Sequence, residues 1–273
     1  MNKYLQLFRL QNCIIGIIGI LASAFIAAEA DVDIITDNWF NIVLACIIII
    51  TFMSGGNALN DYVDREIDKT GHPNRPIPSG RMQPKEALYA GCIMMGLATA
   101  LSLLFWNLLS IAIVVAACVL MLAYELGLKQ RGLVGNITIA VLTGGIFLLG
   151  GAIVGNIEGT YMLVGMAILV NIGREITKDI EDMDGDKDRH TLPMSIGAKN
   201  AGILAAIFYL AGVTLSVWPL LTGMFGTWYV SILVPDAMFI YASYILFSSP
   251  RSSQKVAKFA MLVAFAAFIL GVI

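Results

Sequence analysis

Apolar residues run almost without interruption through this chain, broken at intervals by short polar clusters. Each run is about long enough to cross a ~30 Å hydrocarbon core as a helix. The pattern predicts nine spans, near residues 8–28, 39–60, 84–106, 108–127, 133–155, 160–178, 198–218, 226–247 and 255–273. Inside lipid every backbone polar group has to be satisfied within its own segment, so spans of this length are helices. The expected fold class is therefore all-α, a polytopic membrane protein with nine transmembrane helices.

Composition agrees. Of 273 residues, 58% are hydrophobic and only 13% charged, and a soluble domain of this length carries roughly twice that share of charge. Cys13, Cys46, Cys92 and Cys118 all fall inside apolar runs. They lack metal-ligand spacing and read as packing residues rather than disulfide partners.

The net charge of −2 matters less than where the charges sit. All 17 lysines and arginines fall on one side of the predicted spans. Lys3 and Arg9 precede the first span, and Arg65, Lys69, Arg75, Arg81 and Lys85 follow the second. Lys129 and Arg131 lie in the turn after the fourth, with Arg174, Lys178, Lys187, Arg189 and Lys199 in the 174–199 region at the end of the sixth and Arg251, Lys255 and Lys258 around the start of the ninth. The opposite connections hold only the acids Glu29, Asp31, Asp33, Asp37 and Glu158. By the positive-inside bias the basic side is cytoplasmic, which puts the N-terminus inside and the C-terminus outside. Trp39, Trp106, Trp218 and Trp228 all fall near the outer ends of spans, as an interfacial belt places them. The first span contains "LASAFIAAEA", which offers small-residue cleavage sites, but its apolar stretch is long for a signal core and the span is retained.

Two acidic stretches break the pattern: "NALNDYVDREIDKTGHPNRPIPSGR" (57–81) and "REITKDIEDMDGDKDRHTLPMSIG" (174–197). Asp61, Asp64 and Asp68 are spaced three and four apart, and Asp179, Asp182 and Asp186 repeat that spacing at one constant offset. Both sets follow a span running from outside to inside, so both emerge on the cytoplasmic face. Residues at i, i+3 and i+7 lie within about 60° of one another on a helix. Each stretch thus presents a carboxylate stripe, followed by basic residues and a Pro/Ser/Gly segment. The repeat predicts a duplicated half, with motifs at 60–68 and 179–186. Neighbouring carboxylates repel each other and favour a divalent cation, and hard oxygen donors suit Mg²⁺ rather than zinc. Mg²⁺ held this way keeps positions open for water and substrate phosphates. Arg75, Arg174 and Lys178 stand nearby to neutralise phosphate oxygens. The pattern asks for a diphosphate bridged by metal ions between two helix ends.

At these residues the chain resembles the UbiA-type intramembrane prenyltransferases, over nearly its whole length and as one domain, 1–273. Asn60, Asp61, Asp64 and Asp68 match the family's first motif, and Asp179, Asp182 and Asp186 its second. "YELGLKQRG", from Tyr124, resembles its Tyr-and-Lys element, and "RLQN" (9–12) the start of its first span. Glu125 is a departure, since relatives often have a small residue or proline there. "NRPIPSG" and "REITKDIEDMDGDK" are most similar to the archaeal ether-lipid branch.

The resemblance implies helices around a central chamber open to lipid. It implies Mg²⁺ held by the seven motif residues, with Asp64, Asp68, Asp182 and Asp186 central to catalysis. Arg75, Tyr124, Lys129, Arg131, Arg174 and Lys178 are the implied substrate contacts. The implied reaction moves a geranylgeranyl group from geranylgeranyl diphosphate to the glycerol hydroxyl of geranylgeranylglyceryl phosphate. That would take place in the cell membrane, with the site opening to the cytoplasm and no nucleic acid involved.

Other features read as structural. His72 and His190 have no partner spacing for metal, and "GAIVG" (151–155) has the spacing of close helix packing. Asp236 falls in the middle of the eighth predicted span, a functional candidate without a nameable partner. Three rivals remain. Prenylation of an aromatic acceptor keeps the chemistry and changes the nucleophile. A CDP-alcohol phosphotransferase needs an Asp-Gly-x-x-Ala-Arg core, which is absent. A transporter would place its polar residues at the midplane, not at one set of helix ends.

Overall fold

The computed structural model describes residues 2–183 and 191–273, and every structural statement below concerns those residues. Asp186, Lys187, Arg189 and His190 lie outside them, as does Asp184. Nine long helices account for most of the chain: α1 (Leu10–Ala27), α2 (Trp39–Val63), α3 (Pro84–Ser102), α4 (Leu108–Leu126), α5 (Leu133–Ile153), α6 (Tyr161–Asp182), α7 (Ala198–Thr222), α8 (Leu233–Ile245) and α9 (Pro250–Val272). Each falls within one of the predicted spans or overruns it by a few residues.

Seven of these segments are long and apolar enough to cross a membrane, counting α8 together with the 3₁₀ turn Thr227–Ile232 before it. The other two, α3 and α6, stand where spans are expected but are less apolar. The reason is local: α3 opens on Lys85 and Glu86, and the last third of α6 carries charged residues from Arg174 to Asp182. Gln83 and Glu86 cap α3 reciprocally, with Pro84 pre-set in its first turn. The eighth segment starts as a 3₁₀ turn rather than as the continuous helix expected from 226. Pro235 lacks an amide hydrogen and is tolerated there because it falls in the first turn of α8.

That displacement also moves Asp236. It lies in the first turn of α8 rather than at mid-span, and it has a partner: Ser216 Oγ donates to its carboxylate at 2.7 Å. The Tyr229 hydroxyl donates to the Ser216 carbonyl at 3.2 Å, so the group ties α7 and α8 together at the end far from the aspartate stripes. The intramembrane acid is satisfied structurally.

The helices pack in a ring. α2 lies on α3, α6 on α7, and α5 on α6, while α1 crosses both α2 and α5. At the far end α1 and α5 touch backbone to backbone. Ser23 Oγ donates to the Phe147 carbonyl, and a Cβ on Gly150 would lie 2.5 Å from Ser23 Cβ. Only glycine admits that approach. The first span is thereby built into the core, with Ile20, Ile48, Met95 and Leu149 in one buried cluster.

Candidate active site

α2 delivers the first aspartate set to the charged end of the ring. The helix ends at Val63, short of the whole motif. The winding nevertheless persists: the Asp64 amide donates to the Asn60 carbonyl at 2.9 Å and the Asp68 amide to the Asp64 carbonyl at 2.8 Å. The three side chains therefore stay on one face and are only 2%, 6% and 4% exposed at Asp61, Asp64 and Asp68. Glu66, on the other face, has a side chain 69% exposed and pairs with Lys69 at 2.6 Å. Lys69 beside it holds the Glu66 carboxyl below its usual range.

Three cations from three different segments reach into this stripe. Arg9, at the start of α1, donates to Asp61 at 2.5 Å and to the Asn60 side-chain oxygen at 3.4 Å. Its backbone is left-handed, φ 49 and ψ 57, a strain of roughly 1–3 kcal/mol for a residue with a Cβ. That bend joins α1 to the preceding short helix Lys3–Leu7. Arg75 donates to Asp68 at 2.6 Å and to Asp61 at 3.4 Å. Its loop is pinned by Ile77, which packs among Leu7, Ala58, Met82 and Ala87. Lys129, just past α4, donates to Asp64 at 2.6 Å and to Glu125 at 3.3 Å. Asn60 closes the chain of contacts by donating to Glu125 at 3.2 Å. One unbroken network thus runs Asp64, Lys129, Glu125, Asn60, Arg9, Asp61, Arg75, Asp68.

The second aspartate set is arranged differently. Asp179 accepts from Asn136 of α5 at 3.0 Å and is partly buried, and Asp182 is exposed. Arg174 donates to Glu175 at 2.5 Å, and half-exposed Lys178 approaches Glu175 at 3.7 Å. Tyr124 lies with its ring centroid 5.9 Å from the Lys129 ammonium. Arg131 does not join the site. Its side chain is exposed and makes no ion pair or hydrogen bond among the described residues, because the turn after α4 points only Lys129 inward.

Inward from the stripes lies a cavity of about 350 Å³, lined by α1, α2, α4, α5, α6 and α9. Its walls are mostly apolar, among them Ile15, Phe52, Met121, Ile146 and Phe265. Its polar lining is Asn12, Asn57, Thr143, Asn171, Arg174 and Lys258, of which Asn12, Asn57, Arg174 and Lys258 lie in the parts of their helices nearer the charged end. Met121 packs directly on Gly56, its Cε 2.6 Å from where a Cβ would lie. Met121 and Glu125 are one turn apart on α4, as Gly56 and Asn60 are on α2, so the network caps the cavity directly.

Among the described residues no three acidic, histidine or cysteine side chains converge as a metal site. The donor chemistry still fits Mg²⁺: Asn60, Asp61, Asp64 and Asp68 offer hard oxygens, and the three carboxylates are buried along one helical face. In this state Arg and Lys neutralise them.

Sequence reasoning missed Arg9, Glu125, Asn57, Asn136 and Lys258. Arg9 was legible only as a basic flank, and Glu125 only as an acid at the end of an apolar run. Lys129→Met should leave Asp64 and Glu125 buried without their cation, at a cost of about 3–5 kcal/mol. Thermal unfolding in detergent measures this, and an unchanged midpoint would mean the two carboxylates do not depend on that charge.

The pattern of the UbiA prenyltransferase family matches residues 16–269. A digeranylgeranylglyceryl phosphate synthase of Methanosphaera stadtmanae is 36% identical over 279 residues, covering 99% of both chains. One from Pyrococcus furiosus is 39% identical over 276 residues, covering 98% of this chain and 96% of that one. A solved structure from work on the biosynthesis of digeranylgeranylglyceryl phosphate synthase in membranes superposes with TM-score 0.79 at 33% identity, over 99% of this chain and 97% of that one. The fold is also shared with a UbiA homolog from Archaeoglobus fulgidus bound to DMAPP and Mg²⁺, at TM-score 0.63 and 15% identity, over 98% and 99% of the two chains.

Proposed function

Because the chain belongs to the UbiA prenyltransferase family, we propose that it catalyses digeranylgeranylglyceryl phosphate synthesis, the second ether-forming step of archaeal membrane lipids. The observation that carries this reading is full-length identity to synthases of that activity, joined to a buried carboxylate network capping an apolar chamber. We read the chain as one domain in which α2–α5 recur as α6–α9, all nine long helices crossing the membrane. The one-sided distribution of lysine and arginine supports a cytoplasmic N-terminus and a site opening to the cytoplasm.

Asn60, Asp61, Asp64 and Asp68, with Asp179, Asp182 and Asp186 from the second motif, would hold Mg²⁺ against the diphosphate of geranylgeranyl diphosphate. Bound there, Mg²⁺ neutralises the charge that builds on the leaving group. Arg9, Arg75 and Lys129, which pair with the carboxylates now, then turn to diphosphate oxygens. The allylic C1–O bond breaks with its electron pair leaving on diphosphate. The glycerol hydroxyl of geranylgeranylglyceryl phosphate forms the new C–O bond, and its proton passes to the departing diphosphate. Phe52, Met121 and Ile146 line the chamber and keep water from the allylic cation. Tyr124 presents its ring toward the Lys129 ammonium.

Purified protein, given geranylgeranyl diphosphate with either geranylgeranylglyceryl phosphate or 4-hydroxybenzoate, should form only the doubly prenylated glyceryl phosphate by mass spectrometry. A prenylated aromatic product alone would transfer the reading to a quinone-type acceptor.

A further inference from the structure

The network at the cavity mouth and the cavity's own wall carry different charge. Asp61, Asp64, Asp68 and Glu125 crowd the mouth, and each of Arg9, Arg75 and Lys129 is already engaged with one or two of them. Among the described residues, the cavity lining contains two charged side chains, Arg174 and Lys258, and no carboxylate. Lys258 makes no ion pair or side-chain hydrogen bond there. Arg174 donates to Asn171 and Glu175, on its own helix, and still lines the cavity.

These two cations also stand apart from the first aspartate set. They come from α6 and α9, which pack against each other, whereas Asp61 is carried by α2, which packs on α3, α1, α5 and α4; Arg174 shares α6 with Asp179 and Asp182, and Lys258 alone comes from a helix without an aspartate motif. Arg174 keeps Glu175 as its counterion, whereas Lys258, exposed and without an ion pair among the described residues, offers its full positive charge to an anion that enters the cavity. The reaction brings in two anionic substrates, and the diphosphate has its own neutralising set at the mouth.

We propose that Lys258 and Arg174 form a separate site for the phosphate monoester of the lipid acceptor, distinct from the diphosphate site of the prenyl donor. This rests on the acceptor proposed above and assigns the part of the chamber wall that recognises it. Lys258 is exposed and lines the cavity, so its flexible stem can meet a headgroup that enters there. Arg174, less exposed, presents its guanidinium from the adjacent α6. Held between them, the phosphate would orient the glycerol hydroxyl toward the chamber mouth.

The test separates the two substrates kinetically. Wild type is first shown to turn over geranylgeranyl diphosphate and geranylgeranylglyceryl phosphate. Failure at that stage overturns the proposed function itself. Lys258→Gln should then raise KM for the acceptor about tenfold or more, as loss of a charged hydrogen bond predicts. KM for the donor and kcat should stay within about twofold, on the order of the scatter of near-neutral surface changes. Lys258→Arg should restore the acceptor KM. Lys255→Gln, on the same helix but outside the cavity lining, should leave all constants unchanged. With phosphate-free geranylgeranylglycerol as acceptor, wild type and Lys258→Gln should become equivalent. An unchanged acceptor KM, or a donor KM that rises equally, overturns the assignment while the function stands.

Discussion

Asp64→Asn is expected to cut turnover by at least about 10²- to 10³-fold, while Glu66→Gln keeps most of it. The two acids lie two residues apart, but the helical winding that continues past Val63 turns them to opposite sides. Asp64 is 6% exposed and paired with Lys129 at 2.6 Å, and asparagine keeps its size while removing the charge. Glu66, about 140° around from Asp61, sits in solvent against Lys69. Asp182→Asn should fall with Asp64→Asn, since the second motif is read as supplying the other side of the diphosphate clamp. Steady-state turnover at saturating Mg²⁺ measures all three, with gel filtration in detergent confirming the fold. A Glu66→Gln enzyme as inactive as Asp64→Asn would refute the assignment of roles by helix face.

Chelating divalent cations should abolish turnover, and Mg²⁺ alone should restore it. Four carboxylates, Asp61, Asp64, Asp68 and Glu125, share the network with three cations, Arg9, Arg75 and Lys129. The formal balance is already negative before a multiply charged diphosphate arrives. In a partly desolvated site such repulsion is weakly screened, so the donor needs positive charge beyond what the chain supplies. Hard oxygen ligands select Mg²⁺ for that task. Turnover is followed by product formation in excess EDTA and again after Mg²⁺ is returned. Undiminished turnover in EDTA would show that Arg9, Arg75 and Lys129 suffice.

Much of this architecture was legible in the sequence because it is local. An apolar run long enough to cross a bilayer forms a helix wherever it packs, and the nine long helices lie within a few residues of the runs that predict them. Helical periodicity likewise places Asp61, Asp64 and Asp68 on one face and Glu66 on the other. The even spacing of the two aspartate sets needs no partner to be read.

Tertiary structure decided which faces meet. Arg9 reaches Asp61 only because the chain takes a left-handed turn before α1, and nothing in "RLQN" announces that contact across more than fifty residues. Glu125 looks like a misplaced acid until α4 lies beside α2, where Asn60 and Lys129 receive it. Arg131 is two residues from Lys129 and belongs to the same basic turn, yet only Lys129 enters the site. Lys258 becomes a chamber residue only when α9 closes the ring. Such pairings depend on close approaches like Gly150 on Ser23 and Ala24, where steric fit between distant segments sets the geometry. Periodicity fixes the direction of a side chain about its own helix axis, but the identity of the group across from it is set by how separate helices pack.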